Sequence, residues 1–196
     1  FCLNLGGIAN ISFEENQRRM AFDICPVNQP LNILANLIGQ EYDNQGDTAS
    51  QGELNQELLE QLNSLSFYDQ KPPKSLGREW IDEHFLNIID NFKISIPDKL
   101  RTICEHIAIQ ISKVIPNENS KKMLVTGGGA YNKFLIQLLR SKTNTEIIIP
   151  DDTLIQYKEA LIFAFLGVLR LRNENNCLSS VTGASEDSCS GAIYSK

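Results

Sequence analysis

The sequence has few of the residues that build metal sites and disulfide frameworks. Among its 196 residues are two histidines and five cysteines, and no two cysteines have C-x-x-C spacing. An odd number of cysteines without such spacing argues against a zinc site or a disulfide framework. We therefore interpret the cysteines as thiols of a reducing cytoplasm. His84 and His106 lie in helical patterns, and we interpret both as structural.

The sequence also lacks long runs of basic residues and long runs of apolar residues. Lys and Arg total 18 and Asp and Glu total 24, which gives a net charge of −6, and no basic block stands out. This balance argues against a nucleic-acid partner. The longest apolar run, residues 160–169, is too short to cross a bilayer, so we expect no membrane partner. Neither G-x-G-x-x-G nor G-x-x-x-x-G-K-[ST] occurs, so a dinucleotide fold and a P-loop are poorly supported.

What is present is the composition of one globular domain, with 42% hydrophobic and 21% charged residues. We therefore expect residues 1–196 to form a single domain. Residues 1–4 lack both an initiator Met and the basic start of a secretory signal. Because they read as a strand already under way, we expect the chain to be cut from a longer protein.

The periodicity of apolar residues predicts a mixed α/β fold. Three short strands form a meander, helices follow, and strands then alternate with helices. This order predicts a ribonuclease-H-like mixed sheet with helices on its faces. The predicted strands are residues 2–5, 8–13, 18–23, 122–126, 146–150 and 192–194; the predicted helices are 28–38, 52–62, 80–92, 97–114, 131–140 and 158–171. Because the last helix is apolar nearly all round, we expect it to be deeply buried.

Two glycine clusters are candidate phosphate sites. Gly6-Gly7 joins two strands, with Asn4 and Asn10 at its rim, and is either a tight hairpin or an anion-binding turn. Gly127-Gly128-Gly129 lies between a strand and a helix, where glycines let a nucleotide approach closely.

Two side chains, Asp23 and Glu159, have both a structural and a chemical interpretation. Asp23 follows an apolar strand and is either a turn or capping residue or a general base. Asn28 is the better-placed N-cap of the next helix. Glu159 at the start of the apolar helix either interacts with the helix dipole or faces a ligand cleft. The polar loop 43–52 is interpreted as a helix cap, and the cationic loop 71–79 as a helix entry or an anion contact.

Seven ordered motifs together resemble the anhydro-N-acetylmuramic acid kinase family over essentially the whole chain. They are Asn4-Leu5-Gly6-Gly7-Ile8-Ala9-Asn10-Ile11-Ser12; Phe22-Asp23 with Pro26 and Asn28; Asp43, Gly46, Ala49 and Gly52; Pro72-Pro73-Lys74-Ser75-x-Gly77-Arg78-Glu79; Gly127-Gly128-Gly129-Ala130-x-Asn132; Glu159-Ala160 with Phe163-Ala164; and Val181-Thr182-Gly183-Ala184.

The resemblance implies an ATP-dependent kinase of cell-wall sugar recycling in the cytoplasm, with Mg²⁺ offsetting phosphate charge. Such an enzyme opens the 1,6-anhydro ring of its amino sugar and phosphorylates O6, giving N-acetylmuramic acid 6-phosphate and ADP. The chain would be the C-terminal lobe of a two-lobe kinase, inactive without the other lobe. The resemblance leaves a homodimer open and names no metal ligand.

The resemblance also implies roles for individual residues. Asp23 would be the catalytic base, and Glu159 and Asn28 would contact the sugar. The residues expected to bind ATP are Gly6, Gly7, Asn10, Gly127, Gly128, Gly129 and Asn132.

The chain departs from the family pattern where Cys25 and Val27 stand in place of glycines, and where Leu76 stands in place of threonine. Cys25 and Val27 motivate one alternative, a non-catalytic module that binds an amino sugar or a nucleotide. A different sugar kinase of the same fold is a second alternative.

Overall fold

A computed structural model of the chain describes residues 1–116, 118 and 120–194. Its centre is a five-stranded mixed sheet with the order β3-β2-β1-β4-β5. The strands are β1 (Cys2–Leu5), β2 (Ile8–Glu15), β3 (Arg18–Pro26), β4 (Lys122–Thr126) and β5 (Glu146–Ile148). β1, β2 and β3 pair antiparallel, whereas β4 pairs parallel with β1 and β5. The predicted meander, continued by strand–helix units, is therefore confirmed.

Helices fill the connections between strands. They are α1 (Asn28–Asn36), α2 (Asp47–Gln51), α3 (Gln56–Asn63), α4 (Arg78–Trp80), α5 (Asn87–Asn91), α6 (Ile96–Val114), α7 (Lys133–Lys142), α8 (Asp152–Leu171) and α9 (Ser179–Thr182). A π-helical stretch, Ile81–Leu86, joins α4 to α5, and a 3-10 turn, Gly128–Tyr131, precedes α7. The predicted helix 80–92 is thus helical with a local change of pitch, and the predicted helix 131–140 begins at Lys133.

The core lies between one face of the sheet and α6. Alternate residues of β1, Leu3 and Leu5, are fully buried, as the period of two in a strand requires. On α6 the predicted stripe is confirmed, with Leu100, Ile103 and Ile107 inaccessible to solvent. The helix begins where the Ser95 side chain accepts a hydrogen bond from the Asp98 amide at 3.2 Å.

A buried polar network joins α6 to the segment after α3. The Tyr68 hydroxyl and His106 Nε2 are 2.9 Å apart, and His106 Nδ1 is 2.8 Å from Asn63 Oδ1, which also accepts from Gln110 Nε2. Since the Asn63 oxygen only accepts, Nδ1 carries the proton and Nε2 accepts from Tyr68. Burial lowers the pKa of His106 to about 3, so the ring is neutral. The structural interpretation of His106 fits this network.

The expectation that the apolar helix 158–171 is deeply buried is wrong. The helix exists and extends back to Asp152, but Ile155 is its one buried residue within the part of the chain that the structure describes. Phe163 is 71% exposed and Leu171 is 75% exposed. Apolar composition indicates that a helix surface avoids water, but the partner that covers it is set by tertiary structure.

One smaller expectation also changes. Residues 192–194 form no strand, and the chain end instead makes one isolated bridge between Cys177 and Ser188. None of the five cysteines forms a disulfide. Across the described residues, no helix combines the length and apolar character needed to cross a membrane.

We expect acid to destabilise the fold through His106. Its pKa is about 3 when folded and 6.5 as the reference for the unfolded chain, so between these values the unfolded state binds more protons. This group's contribution to stability is complete above pH 6.5 and declines as the pH falls. In the wild type, His106 should lower the unfolding free energy by about 2 kcal/mol between pH 7 and pH 5. We expect His106→Gln to lack this part of the decrease.

Urea unfolding at the two pH values measures this difference. His84→Gln, at an exposed position on the π-helical stretch, is the matched control. Equal pH dependence in the wild type and in His106→Gln would contradict the prediction.

We also expect the exposed face of α8 to bind apolar probes. Phe163→Ser should lower the fluorescence of an apolar dye bound to the 196-residue chain, since it removes an exposed aromatic ring from an apolar surface. Leu37→Ser is the control, because Leu37 is 68% exposed but lies after α1. An equal decrease in both variants would argue against a specific surface on α8.

Candidate functional site

Four polar side chains form a row across the sheet on the face opposite the core. The register pairs Asp23 of β3 with Asn10 of β2, Asn10 with Asn4 of β1, and Asn4 with Thr126 of β4. Cross-strand partners share a face, and neighbouring strands lie about 4.8 Å apart. We call Asp23, Asn10, Asn4 and Thr126 the polar row. Because the glycine clusters follow β1 and β4, the row connects Asp23, the predicted base, with both clusters.

Asp23 is half-buried and held from both sides by the loop after Pro73. Its amide donates to the Lys74 carbonyl at 3.1 Å, and its Oδ2 accepts from the Leu76 amide at 2.8 Å. Burial raises the pKa of Asp23 above its ordinary value, while the Leu76 hydrogen bond opposes the rise. Among the described residues no donor reaches Oδ1, so this oxygen is available to a water molecule.

The loop that holds Asp23 is itself anchored by Lys74. The ammonium donates to the Phe67 carbonyl at 3.1 Å and lies 4.5 Å from the centre of the Phe67 ring. Burial lowers the pKa of Lys74. Phe67 is buried and packs on Trp80 with ring centres 5.4 Å apart. An aromatic cluster thus supports the position of the carboxylate, and Lys74, one of the three cations of this loop, makes internal contacts.

The Gly6-Gly7 turn packs against the start of α1. The amides of Val27 and Asn28 donate to the carbonyls of Gly7 and Gly6 at 2.9 and 3.2 Å. A Cβ on Gly7 would lie 2.9 Å from the Gln29 side chain. The absence of a side chain is therefore required for close packing here, which supports the tight-turn interpretation for Gly7.

The second cluster packs against the end of β1. Gly127 has φ +84°, and a Cβ there would lie 2.7 Å from both Asn4 Oδ1 and the Leu5 carbonyl. Only glycine adopts this backbone without strain. Asn132 ends the segment as the N-cap of α7, where its Oδ1 accepts from the Leu135 amide at 2.9 Å.

The structure corrects the interpretation of Asn28 as a helix N-cap. The capping position is Val27, and the Asn28 side chain donates to the Leu5 carbonyl at 3.1 Å. Its amide also lies beside Gly128 and Gly129. Asn28, which was expected to contact the sugar, therefore lies next to the glycine segment that is expected to bind the nucleotide.

A cavity of about 610 Å³ opens beside this segment. It lies between α1, the loop after Tyr42 and the glycine cluster, and its walls include Asn28, Asn32, Gln45 and Gly128. The volume is that of a small-molecule site. Asp43 fixes one wall, because its two oxygens accept from the amides of Thr48 and Ala49 at 2.8 and 2.9 Å. The helix-capping interpretation of this loop agrees with those bonds.

Glu159 is exposed and lies about two turns inside α8, which begins at Asp152. Its interpretation as a first-turn partner of the helix dipole is therefore wrong. Its neighbour Lys158 was not singled out from the sequence. The Lys158 ammonium donates to Asn4 Oδ1 and to Thr126 Oγ1, at the end of the polar row away from Asp23. One available signal is that this cation lies two residues before the apolar run 160–169 of the same helix.

Comparison with known proteins shows the family. The sequence profile described as anhydro-N-acetylmuramic acid kinase matches residues 1–196. The chain belongs to the anhydro-N-acetylmuramic acid kinase family. A kinase of this name from Sulfurovum sp. (strain NBC37-1) is 34% identical, with 98% of this chain and 54% of that protein aligned. Its namesake from Francisella tularensis subsp. novicida (strain U112) is 35% identical over 92% of this chain and 51% of its own length. The chain thus spans about half the length of these curated relatives.

Solved structures agree with the predicted fold class. The activator of the 2-hydroxyisocaproyl-CoA dehydratase from Clostridium difficile, solved with bound ADPNP, has a TM-score of 0.50 and 19% identity, and the match covers 82% of this chain and 56% of that one. Component A of the (R)-2-hydroxyglutaryl-CoA dehydratase from Acidaminococcus fermentans also has a TM-score of 0.50, at 17% identity. At these identities the likeness concerns the fold alone, and it confirms the ribonuclease-H-like class for this family member.

We expect Lys74→Met to disturb Asp23 indirectly, because the Lys74 side chain contacts Phe67 and not the carboxylate. The variant removes the hydrogen bond and the ring contact that anchor the loop, so the bond from the Leu76 amide to Asp23 should weaken. The pKa of Asp23 should then rise further, and the Leu76 amide should exchange with solvent about tenfold faster. Carboxyl and amide NMR report both quantities. In Lys71→Met, at an exposed position of the same loop, both should stay as in the wild type. An unchanged Asp23 titration in Lys74→Met would refute the anchoring role.

Proposed function

We propose that the protein is an ATP-dependent kinase that opens the 1,6-anhydro ring of anhydro-N-acetylmuramic acid and phosphorylates O6. The products would be N-acetylmuramic acid 6-phosphate and ADP. The observation that carries the proposal is Asp23, a half-buried carboxylate with Oδ2 fixed by the Leu76 amide and Oδ1 available to water. The choice of substrate rests on family membership. The enzyme would act in the cytoplasm, where ATP is plentiful.

The arrangement of Asp23 suits a general base. Its raised pKa makes the carboxylate a better proton acceptor than an exposed aspartate, while the Leu76 bond keeps it from rotating. In the proposed reaction the water loses a proton to Asp23 and its oxygen bonds to C1. The C1–O6 bond breaks, and O6 takes the γ-phosphoryl group as the bond to ADP breaks. Phosphorylation of O6 thus replaces the general acid of a glycosidase.

The residues expected to bind ATP lie along the polar row and around the cavity beside it. The cavity of about 610 Å³ has Gly128 and Asn132 in its walls, and Gly127 and Gly129 pack against β1 just beside it. Gly6 and Gly7 form the turn between β1 and β2, and Asn10 lies on β2. The described residues include no cluster of three or more His, Cys, Asp or Glu side chains suited to a metal. We propose that Mg²⁺ binds chiefly through the phosphates of ATP, as this ion commonly does.

The replaced glycines do not argue against catalysis. Cys25 and Val27 are fully buried in the core cluster, so their side chains point away from the space that a substrate would occupy. This supports the kinase over a non-catalytic module. The module would bind nucleotide without releasing ADP, and a different sugar kinase would turn over another substrate in a panel.

We further propose that the chain is one lobe of a two-lobe enzyme. It spans about half of its relatives, and α8 presents an apolar surface that nothing in the described residues covers. The 196 residues alone would then bind ligands without turnover, and a homodimer remains a prediction. Measurable kinase activity of the isolated chain would overturn this arrangement.

We expect Asp23→Asn in the full-length protein to lower kcat by about 10²–10⁴-fold, since the amide cannot accept the proton. It can still accept from the Leu76 amide, so nucleotide affinity should stay within about twofold. Release of ADP and formation of the phosphosugar, followed by mass spectrometry, measure the effect. Asp90→Asn, at an exposed site on α5, is the control.

The pH profile gives an independent test. Since Asp23 must be ionised to act, wild-type activity should fall as the pH drops through its raised pKa. A kcat in Asp23→Asn close to that of the wild type would reject the assignment of the base.

A further inference from the structure

Lys158 places a positive charge where the two parallel strands β1 and β4 end. Its ammonium reaches from α8 to Asn4 Oδ1 and to Thr126 Oγ1, 3.0 Å away. Asn4 and Thr126 are register partners, so the ammonium bridges the carboxyl ends of both strands. In open α/β sheets ligands bind just outside these ends. Lys158 is therefore at a position where a ligand is expected.

The charge of Lys158 is incompletely compensated. Both of its acceptors are neutral, and within the described chain no carboxylate oxygen comes within 4.0 Å of its nitrogen. Burial lowers the pKa of Lys158, and the neighbouring Glu159 opposes this only in part. An ammonium carries three N–H donors, of which two have acceptors here. A partly desolvated cation with neutral partners is stabilised by an anion.

The surroundings of Lys158 indicate which anion fits. Asn4 joins the ammonium to both glycine clusters, since its side chain lies 3.2 Å from a Cβ built on Gly6 and 2.7 Å from one built on Gly127. Glycine at positions 6 and 127 has no side chain, so a tetrahedral oxyanion could approach the backbone closely there. Asp23 lies two strands from Asn4, about 10 Å away, so base and cation stand at opposite ends of the same row.

We infer that Lys158 binds a phosphoryl oxygen of the nucleotide and neutralises charge on the phosphoryl group that is transferred. The inference rests on the proposed kinase function and adds a residue to it. Lysine binds phosphate as a point charge, and transition states of phosphoryl transfer concentrate negative charge on the oxygens of that group. The substrate sugar is the other source of an anion, through its carboxylate. A third role, holding α8 to the sheet, would require no ligand at all.

Two variants of the full-length protein separate these roles. Lys158→Met keeps the length of the side chain, and Lys122→Met makes the same charge change at the opposite end of β4. Calorimetry with a non-hydrolysable ATP analogue should show at least tenfold weaker binding in Lys158→Met and no change in Lys122→Met. Adenosine, which has no phosphate, should bind equally to all three proteins. With saturating nucleotide, the KM for the sugar should change less than twofold, while kcat falls at least tenfold.

Each contrary result has a definite meaning. Unchanged binding of the ATP analogue to Lys158→Met would overturn this inference and leave the proposed function standing. Weaker sugar binding alone would assign Lys158 to the sugar carboxylate and overturn the phosphoryl assignment. A wild-type protein that binds no nucleotide would overturn the proposed function, and this inference with it.

A measurement on the unaltered protein covers the case in which Lys158→Met does not fold. An amine-reactive reagent is applied with and without the ATP analogue, and labelling is quantified by mass spectrometry at Lys158 and at Lys122. The analogue should slow labelling of Lys158 at least fivefold and leave Lys122 unaffected, whereas adenosine should protect neither. Equal labelling of Lys158 with and without the analogue would overturn the inference.

Discussion

The parallel pairing of β1 with β4 is the constraint on which the candidate site depends. It joins segments about 120 residues apart and sets Asn4 opposite Thr126. From that register the positions of Gly127 against Leu5 and of Lys158 against both strands follow. A shift of one residue would turn Asn4 into the core and Leu3 or Leu5 onto the ligand face. The burial of these leucines against α6 therefore stabilises the fold and also fixes the strand register that places Asn4 in the candidate site.

A second set of interactions connects the core to the base. The neutral His106 network fixes Asn63 and Tyr68, and the residue before Tyr68, Phe67, holds the ammonium of Lys74. Lys74 in turn begins the loop whose carbonyl and amide bracket Asp23. Each step is a direct contact, and together they give a half-buried carboxylate a defined orientation. A general base depends on such preorganisation, because a freely rotating carboxylate would place its oxygen correctly only part of the time.

Glycine is required at different positions of the chain for different physical reasons. Gly7 and Gly129 leave room for a neighbouring side chain, whereas Gly127 also needs its left-handed backbone. The two glycines that this chain replaces, at Cys25 and Val27, are in positions that face the core. Apolar side chains there add buried surface and leave the polar row unobstructed. A departure from a family motif thus has to be judged from where its side chain points.

Local patterns in the sequence determined the meander, the stripe of α6 and the seven motifs that identify the family, because each depends on residues close together along the chain. Four interpretations were wrong. Residues 158–171 were expected to be buried, Asn28 to cap α1, Glu159 to lie in the first turn of its helix, and residues 192–194 to form a strand. Lys158 was missed because its acceptors are 154 and 32 residues away in the chain. Only the tertiary structure decided these points, because hydrophobic periodicity specifies which surface avoids water, while strand pairing decides which side chains meet.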